Sequence, residues 1–185
     1  FGVIRLRMVE KYTVQVKKFG SVNWMGAFVL FQKETQRFLS VSIQTIFSPV
    51  LTSVLFLLVL SLALGSNRAD MMGFPFITFL APGLIAMSII QQAFSHSSSS
   101  FIISKIQGTI TDLIMAPLSA GEVTIAITLA SVTRSFIIAM VSIPIFYLLA
   151  DIEIRNFYIL IFYTFVSSFI LGALGIIAGL WADKF

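Results

Sequence analysis

Few side chains in this chain could do chemistry, and they do not form a catalytic set. The only histidine, His96, lies inside a serine run made of Ser95, Ser97, Ser98, Ser99 and Ser100. No G-x-S-x-G turn, H-E-x-x-H pair or second histidine accompanies it, so it reads as a solvated interface residue rather than as a base or a metal ligand. Asp70, Asp151 and Glu153 could hold a cation or a sugar, but they fall in short polar connections where solvated charge is the default. No G-x-x-x-x-G-K-[ST] pattern occurs, so these residues cannot cradle a nucleotide in a P-loop. The absence of Cys removes disulfides, thiolate metal sites and cysteine nucleophiles.

The elements that would position these residues are membrane spans. The 185-residue chain is 58% hydrophobic and only 11% charged, whereas soluble domains are about a quarter charged. Its apolar residues come in four long runs, at about 43–64, 74–94, 123–150 and 157–181. Each reaches the roughly 20 residues that a hydrocarbon core of about 30 Å demands. The fold class is therefore all-α, a polytopic helical membrane protein. Pro49 stands near the start of the first run, and Pro82 with Gly83 inside the second should kink that span. The chain starts at Phe1 and stops at Phe185 just after a span, and both ends read as cut points in a longer protein. No signal-peptide pattern is visible, since the first apolar run comes late and is long enough to cross.

Charge sets the orientation. Of twelve Lys and Arg, seven precede the first span: Arg5, Arg7, Lys11, Lys17, Lys18, Lys33 and Arg37. With that end inside, Lys105 and Lys184 join them, while the outer connections hold only Arg68 and Arg155. The asymmetry puts the N-terminus in the cytoplasm of an inner (plasma) membrane protein, and it argues against a nucleic-acid surface. Residues 1–22 read as a basic cytoplasmic tail. Asn23 should cap a helix over 23–39. Trp24, Ala27, Phe28, Phe31 and Phe38 would form its apolar face, with Gln32, Lys33, Gln36 and Arg37 opposite. Such a helix fits the membrane interface, in contact with lipid, although packing on protein would give the same pattern.

Two features lie inside the spans. Arg134 is near mid-depth of the third, where an unpaired charge costs at least about 2.5–3.5 kcal/mol, so it should face the bundle interior or a wet pathway. No acid in the spans can pair with it, and carbonyl or hydroxyl partners are as consistent as a transport role. Gly175 and Gly179, with Gly172 one turn earlier, form a G-x-x-x-G seam suited to close helix packing.

The connection between the second and third spans is the longest on the inner side. Ile103, Ile106, Ile110 and Leu113 recur there at helical spacing among Lys105, Gln107, Thr109, Thr111 and Asp112, until Pro117 ends the helix. That stripe must be buried on headgroups, on the ends of its own spans, or on another protein.

The order of these pieces resembles the ABC-2 type transporter permeases, the membrane subunits of bacterial ABC exporters. The resemblance rests on P-G-L-I at Pro82, Gly83, Leu84 and Ile85. It rests also on S-S-F at Ser99, Ser100 and Phe101, and on Asp112 and Leu113 followed by Ala116 and Pro117. K-E-x-x-R-F, from Lys33 to Phe38, is similar to that family's elbow helix. The likeness covers about 24–185. It implies a six-span fold of which this chain lacks the last two, and a homodimer of permeases. It also implies a separate ABC ATPase subunit that binds the ATP and Mg, leaving this chain no cofactor and no catalysis of its own. Residues 103–118 would be the coupling helix that docks the ATPase, with Ile106, Ile110, Asp112, Leu113 and Pro117 carrying the contact. Two other classes are weaker. A secondary transporter usually carries intramembrane acids or broken helices in repeated halves, and a membrane-embedded lipid-modifying enzyme needs acids or bases clustered at one face. The transported substrate is not legible.

Overall fold

The computed structural model describes residues 22–41, 43–64, 75–152 and 154–182. The basic tail, the connection carrying Arg68 and Asp70, and the residues Glu153 and Lys184 lie outside them. All regular structure among the described residues is helical. Helix α1 spans Trp24–Ser40. A π-helical turn, Ile43–Phe47, leads directly into α2, Ser48–Leu64. Helix α3 is Phe76–Ile106, α4 is the short Ile110–Met115, α5 is Ala120–Ala150 and α6 is Phe157–Trp181. Four stretches are long and apolar enough to cross a membrane: Ile43–Ala63, Phe76–Ile106, Ala120–Ala150 and Phe157–Trp181. Their outward surfaces carry Leu62, Leu148, Ile177 and many other exposed apolar side chains, which acyl chains, not water, would cover.

Helix α1 starts as the sequence suggests, with Asn23 Oδ1 accepting the Gly26 N–H at 3.0 Å. Its faces divide differently from the simple aromatic stripe. Trp24 and Phe28 point outward, whereas Leu30, Glu34 and Phe38, one turn apart, are buried. They meet α3 and α5: Phe38 packs edge-on against His96, with ring centres 5.6 Å apart, and Leu30 joins Phe101, Ala126, Ile127 and Ile176 in one core cluster. Phe38 is drawn inward because Glu34, one turn earlier, holds Ser100 at 2.8 Å and Arg37 at 2.8 Å.

Helix α3 does not stop near residue 94. It runs on through the serine run to Ile106, 31 residues in all, or about 46 Å at 1.5 Å per residue. Serine weakens helices by offering the backbone other partners, but here several hydroxyls bond back to the helix's own carbonyls, while that of Ser100 goes to Glu34. Ser99 Oγ donates to the His96 carbonyl at 3.1 Å and Ser104 Oγ to that of Ser100 at 2.8 Å. The small side chains let α6 come close. A Cβ on Gly175 would lie 2.5 Å from the Phe94 carbonyl oxygen, and one on Gly179 would lie 2.7 Å from that of Ser98. The G-x-x-x-G pattern is thus the α3–α6 seam. His96 is correspondingly 1% exposed, a buried packing residue and not the solvated one expected, because the run around it is a helix face pressed against α1.

Residues 103–118 are not one helix. Helix α3 closes at Gln107, whose N–H reaches the Ile103 carbonyl at 2.9 Å. The chain then turns through Gly108 at φ 71°, a left-handed conformation that glycine adopts without steric cost. Helix α4 ends at Met115, before the expected Pro117, because the residue preceding a proline is pushed to extended backbone. Ala116 has ψ 141°.

Candidate functional site

Helix α4 is a short element between the two 31-residue helices α3 and α5, and its two faces differ. Leu113 is half-buried and packs, with Leu118, against the Leu30–Phe101–Ala126–Ile127 cluster. Asp112 is exposed, and Ile114 and Met115 are 75% and 85% exposed. Ile106, at the end of α3, is likewise exposed, while Ile110 is half-buried. The stripe read from the sequence is therefore split: Leu113 anchors the helix, and Ile106 faces outward across the Gly108 turn. Asp112, Leu113 and Pro117 come together with Met25, Gly26 and Lys33 of α1 around a groove of about 330 Å³; Ile106 and Ile110 do not line it. Ile114 and Met115, the most outward apolar residues of α4, escape the sequence reading because it carries the stripe Ile103, Ile106, Ile110 and Leu113 straight through the Gly108 turn. A strict period assumes one unbroken helix.

The junction behind α4 is held by a residue that sequence reasoning passed over. Glu122 Oε1 accepts the Asn23 backbone N–H at 2.6 Å and Oε2 accepts that of Ser119 at 2.7 Å. Ser119 Oγ in return accepts the Glu122 N–H at 3.3 Å. Ser119 and Glu122 form a capping box for α5, and S-x-x-E before an apolar run is its sequence signal. The second bond, to the start of α1, has no local signal. Asn23 Nδ2 also donates to the Pro117 carbonyl at 3.1 Å.

Arg134 is half-buried and faces the bundle. Its Nη2 donates to Gln92 Oε1 on α3 at 2.6 Å and to the Thr45 carbonyl at 3.4 Å. Pro49, four residues on from Thr45, has no N–H to offer that carbonyl. Pro82 lies within α3 and borders an apolar cleft of about 410 Å³ between α3, α5 and α6, with Ile89, Ile143, Tyr147 and Tyr163 among its walls. Gly83 faces open space, so neither residue meets Arg134 or α4. No group of three His, Asp or Glu side chains suited to a metal occurs among the described residues.

The ABC-2 type transporter family model matches residues 26–185, nearly the whole of this arrangement from the first turn of α1 onward. The chain belongs to the ABC-2 type transporter family. The inner membrane transport permease YadH of Escherichia coli (strain K12) is 37% identical to it over 94 residues, and its counterpart in Shigella flexneri matches equally. Those residues make up 51% of this chain and 37% of the relative, so the match spans well under two thirds of the relatives' length. No solved structure matches the chain. As an ABC-2 permease domain, it brings a membrane-transport fold whose family implies an ATPase partner. Within that fold, α4 is the short connection that leaves the apolar side chains of Ile114 and Met115 exposed.

Proposed function

We propose that this chain is the membrane-embedded permease of an ATP-driven exporter in a bacterial inner membrane, and that a separate ATPase subunit docks on α4. One observation carries the reading: a short helix between two spans, clamped at its far end, turns Asp112, Ile114 and Met115 outward with none of the described residues covering them. Exposed Ile and Met at such a place call for a protein partner, since burying each is worth about 1.5–3 kcal/mol. Lys33 on the wall of the adjoining groove and Asp112 opposite it add charges of both signs for orientation. The N-terminus and α4 lie on the cytoplasmic side, where ATP and Mg are bound by the ATPase. Two permeases pair across the membrane, and closure of the ATPases on ATP pushes α4 so that the spans rock between inward-open and outward-open states.

The full-length permease with Ile114→Ser and Met115→Ser keeps Leu113 and hence the fold of α4. It is expected to lose co-purification with its ATPase subunit and to lose substrate-stimulated ATP hydrolysis, while membrane insertion stays normal. Undiminished ATPase association in that double variant would refute the docking face.

A further inference from the structure

The two ends of α4 are held very differently. At its start the chain passes through Gly108, exposed, in a left-handed conformation and with nothing within 4 Å of where a Cβ would stand. Beyond its end, the Pro117 carbonyl is bound by Asn23 Nδ2, the Ser119 N–H by Glu122 Oε2, and the Asn23 N–H by Glu122 Oε1. Leu118 also seats on Gly26, so closely that a Cβ there would be 2.7 Å from Leu118 Cδ2.

We infer that Glu122 is a positioning residue that locks the far end of α4 to α1 and α5 together, so that any displacement of α4 moves those two helices as one while the Gly108 turn lets α4 swing relative to α3. The chemistry is that of a single carboxylate with two acceptor oxygens. Each takes an N–H at the beginning of a helix, where donors have no partner within the helix itself. One N–H belongs to the cap of α1 and the other to the cap of α5, and residues 23 and 122 are 99 apart in sequence. Removing the carboxylate leaves two orphan donors and frees both helix starts from the 116–119 linker. Glutamine offers one acceptor oxygen where two are used, so it can keep one of these bonds and not both.

The source of the displacement rests on the docking reading above; the clamp does not. The test uses the full-length permease in nanodiscs of phosphatidylethanolamine and phosphatidylglycerol, with spin labels on the exposed positions 25 and 114 and, as a fold control, on positions 91 and 177. The unaltered protein should give one narrow 25–114 distance. Glu122→Ala should broaden it about twofold, as local release of an element does, and Glu122→Gln should fall between. The 91–177 distance should not change. In complex with the ATPase subunit, Glu122→Ala should retain association yet move about tenfold less substrate per ATP hydrolysed, which mere loss of stability would not separate. A 25–114 distance as narrow in Glu122→Ala as in the parent overturns the clamp. Should that variant fail the 91–177 control, Glu122→Gln decides by the same readout, because it fills the same space and can keep only one of the two bonds. Failure of the docking reading shows elsewhere, as ATPase association that survives Ile114→Ser with Met115→Ser.

Discussion

Arg134 on α5 and Gln92 on α3 are joined by a 2.6 Å hydrogen bond, and this bond turns a costly intramembrane charge into a tie between two spans. Among the described residues no acid pairs with this guanidinium. It instead takes a neutral amide oxygen and the Thr45 carbonyl, to which Pro49 has no N–H to offer. Gln92→Leu should therefore destabilise the protein, and so should Arg134→Met, but the two together should cost less than their sum. A double-mutant cycle on unfolding in detergent is expected to give a coupling of about 1 kcal/mol, in the range such membrane bonds reach. A coupling near zero would make the pair incidental.

Gly175 and Gly83 lie in the two elements bordering the α3–α6 seam, yet the same change at each should have opposite results. At Gly175 a methyl group would collide with the Phe94 backbone oxygen, 2.5 Å away. Backbone cannot step aside, so Gly175→Ala should push α6 from α3 and cost about 1–3 kcal/mol as overpacking does. Gly83 has nothing within 4 Å, and alanine there gains helix propensity of up to about 1 kcal/mol. Thermal midpoints in detergent should fall for the first and hold or rise for the second. A fall for both would mean that Gly83 is needed in a contact outside this chain.

The four spans, the cap at Asn23 and the close-packing glycines were legible because each rests on a local rule: run length, a side-chain oxygen before a helix, small residues at a fixed spacing. His96 and the end of α3 were not. A serine run is ambiguous until its hydroxyls have partners and its face a neighbour; the partners are the helix's own carbonyls and Glu34, and the neighbour is the glycine seam of α6, more than 70 residues on. Arg134 was legible as a charge needing a partner, but Gln92 could not be singled out among the polar residues of the spans. The break at Gly108 was the plainest loss, since glycine within a helical period is tolerated as often as it ends one. For α4, sequence period named the anchor Leu113 and missed the outward Ile114 and Met115.

Side-specific labelling checks the orientation. The chain has no cysteine of its own, so single replacements report cleanly. Gln107 stands at the α4 end of the bundle and Arg155 in the connection between α5 and α6; both are exposed. An impermeant thiol reagent added to sealed cells should label Arg155→Cys and spare Gln107→Cys until the membrane is broken. The reverse pattern would place α4 outside, away from any ATP, and end the exporter reading.

Lys105 offers a final, local test. It lies in the last turn of α3, and its Nζ donates to the Leu180 carbonyl at 2.6 Å and to that of Ala182 at 2.8 Å. The last carbonyls of a helix have no partner within it, and a basic side chain there both bonds them and offsets the negative end of the helix. In α6 that service comes from another span, so the same bonds pin the end of α6 to the foot of α3, next to the Gly108 turn. Lys105→Met keeps most of the side chain's length and packing but removes the donor. It should cost about 1 kcal/mol, the net worth of bonds of this kind at a partly exposed site. The loss should be confined: amide exchange should quicken in the last turn of α6, around 178–182, and stay unchanged at the Gly175 contact. Lys105→Arg, which retains donors, should restore protection. Exchange at 178–182 that is equally slow in Lys105→Met would show that the Gly179 packing holds this end without the lysine.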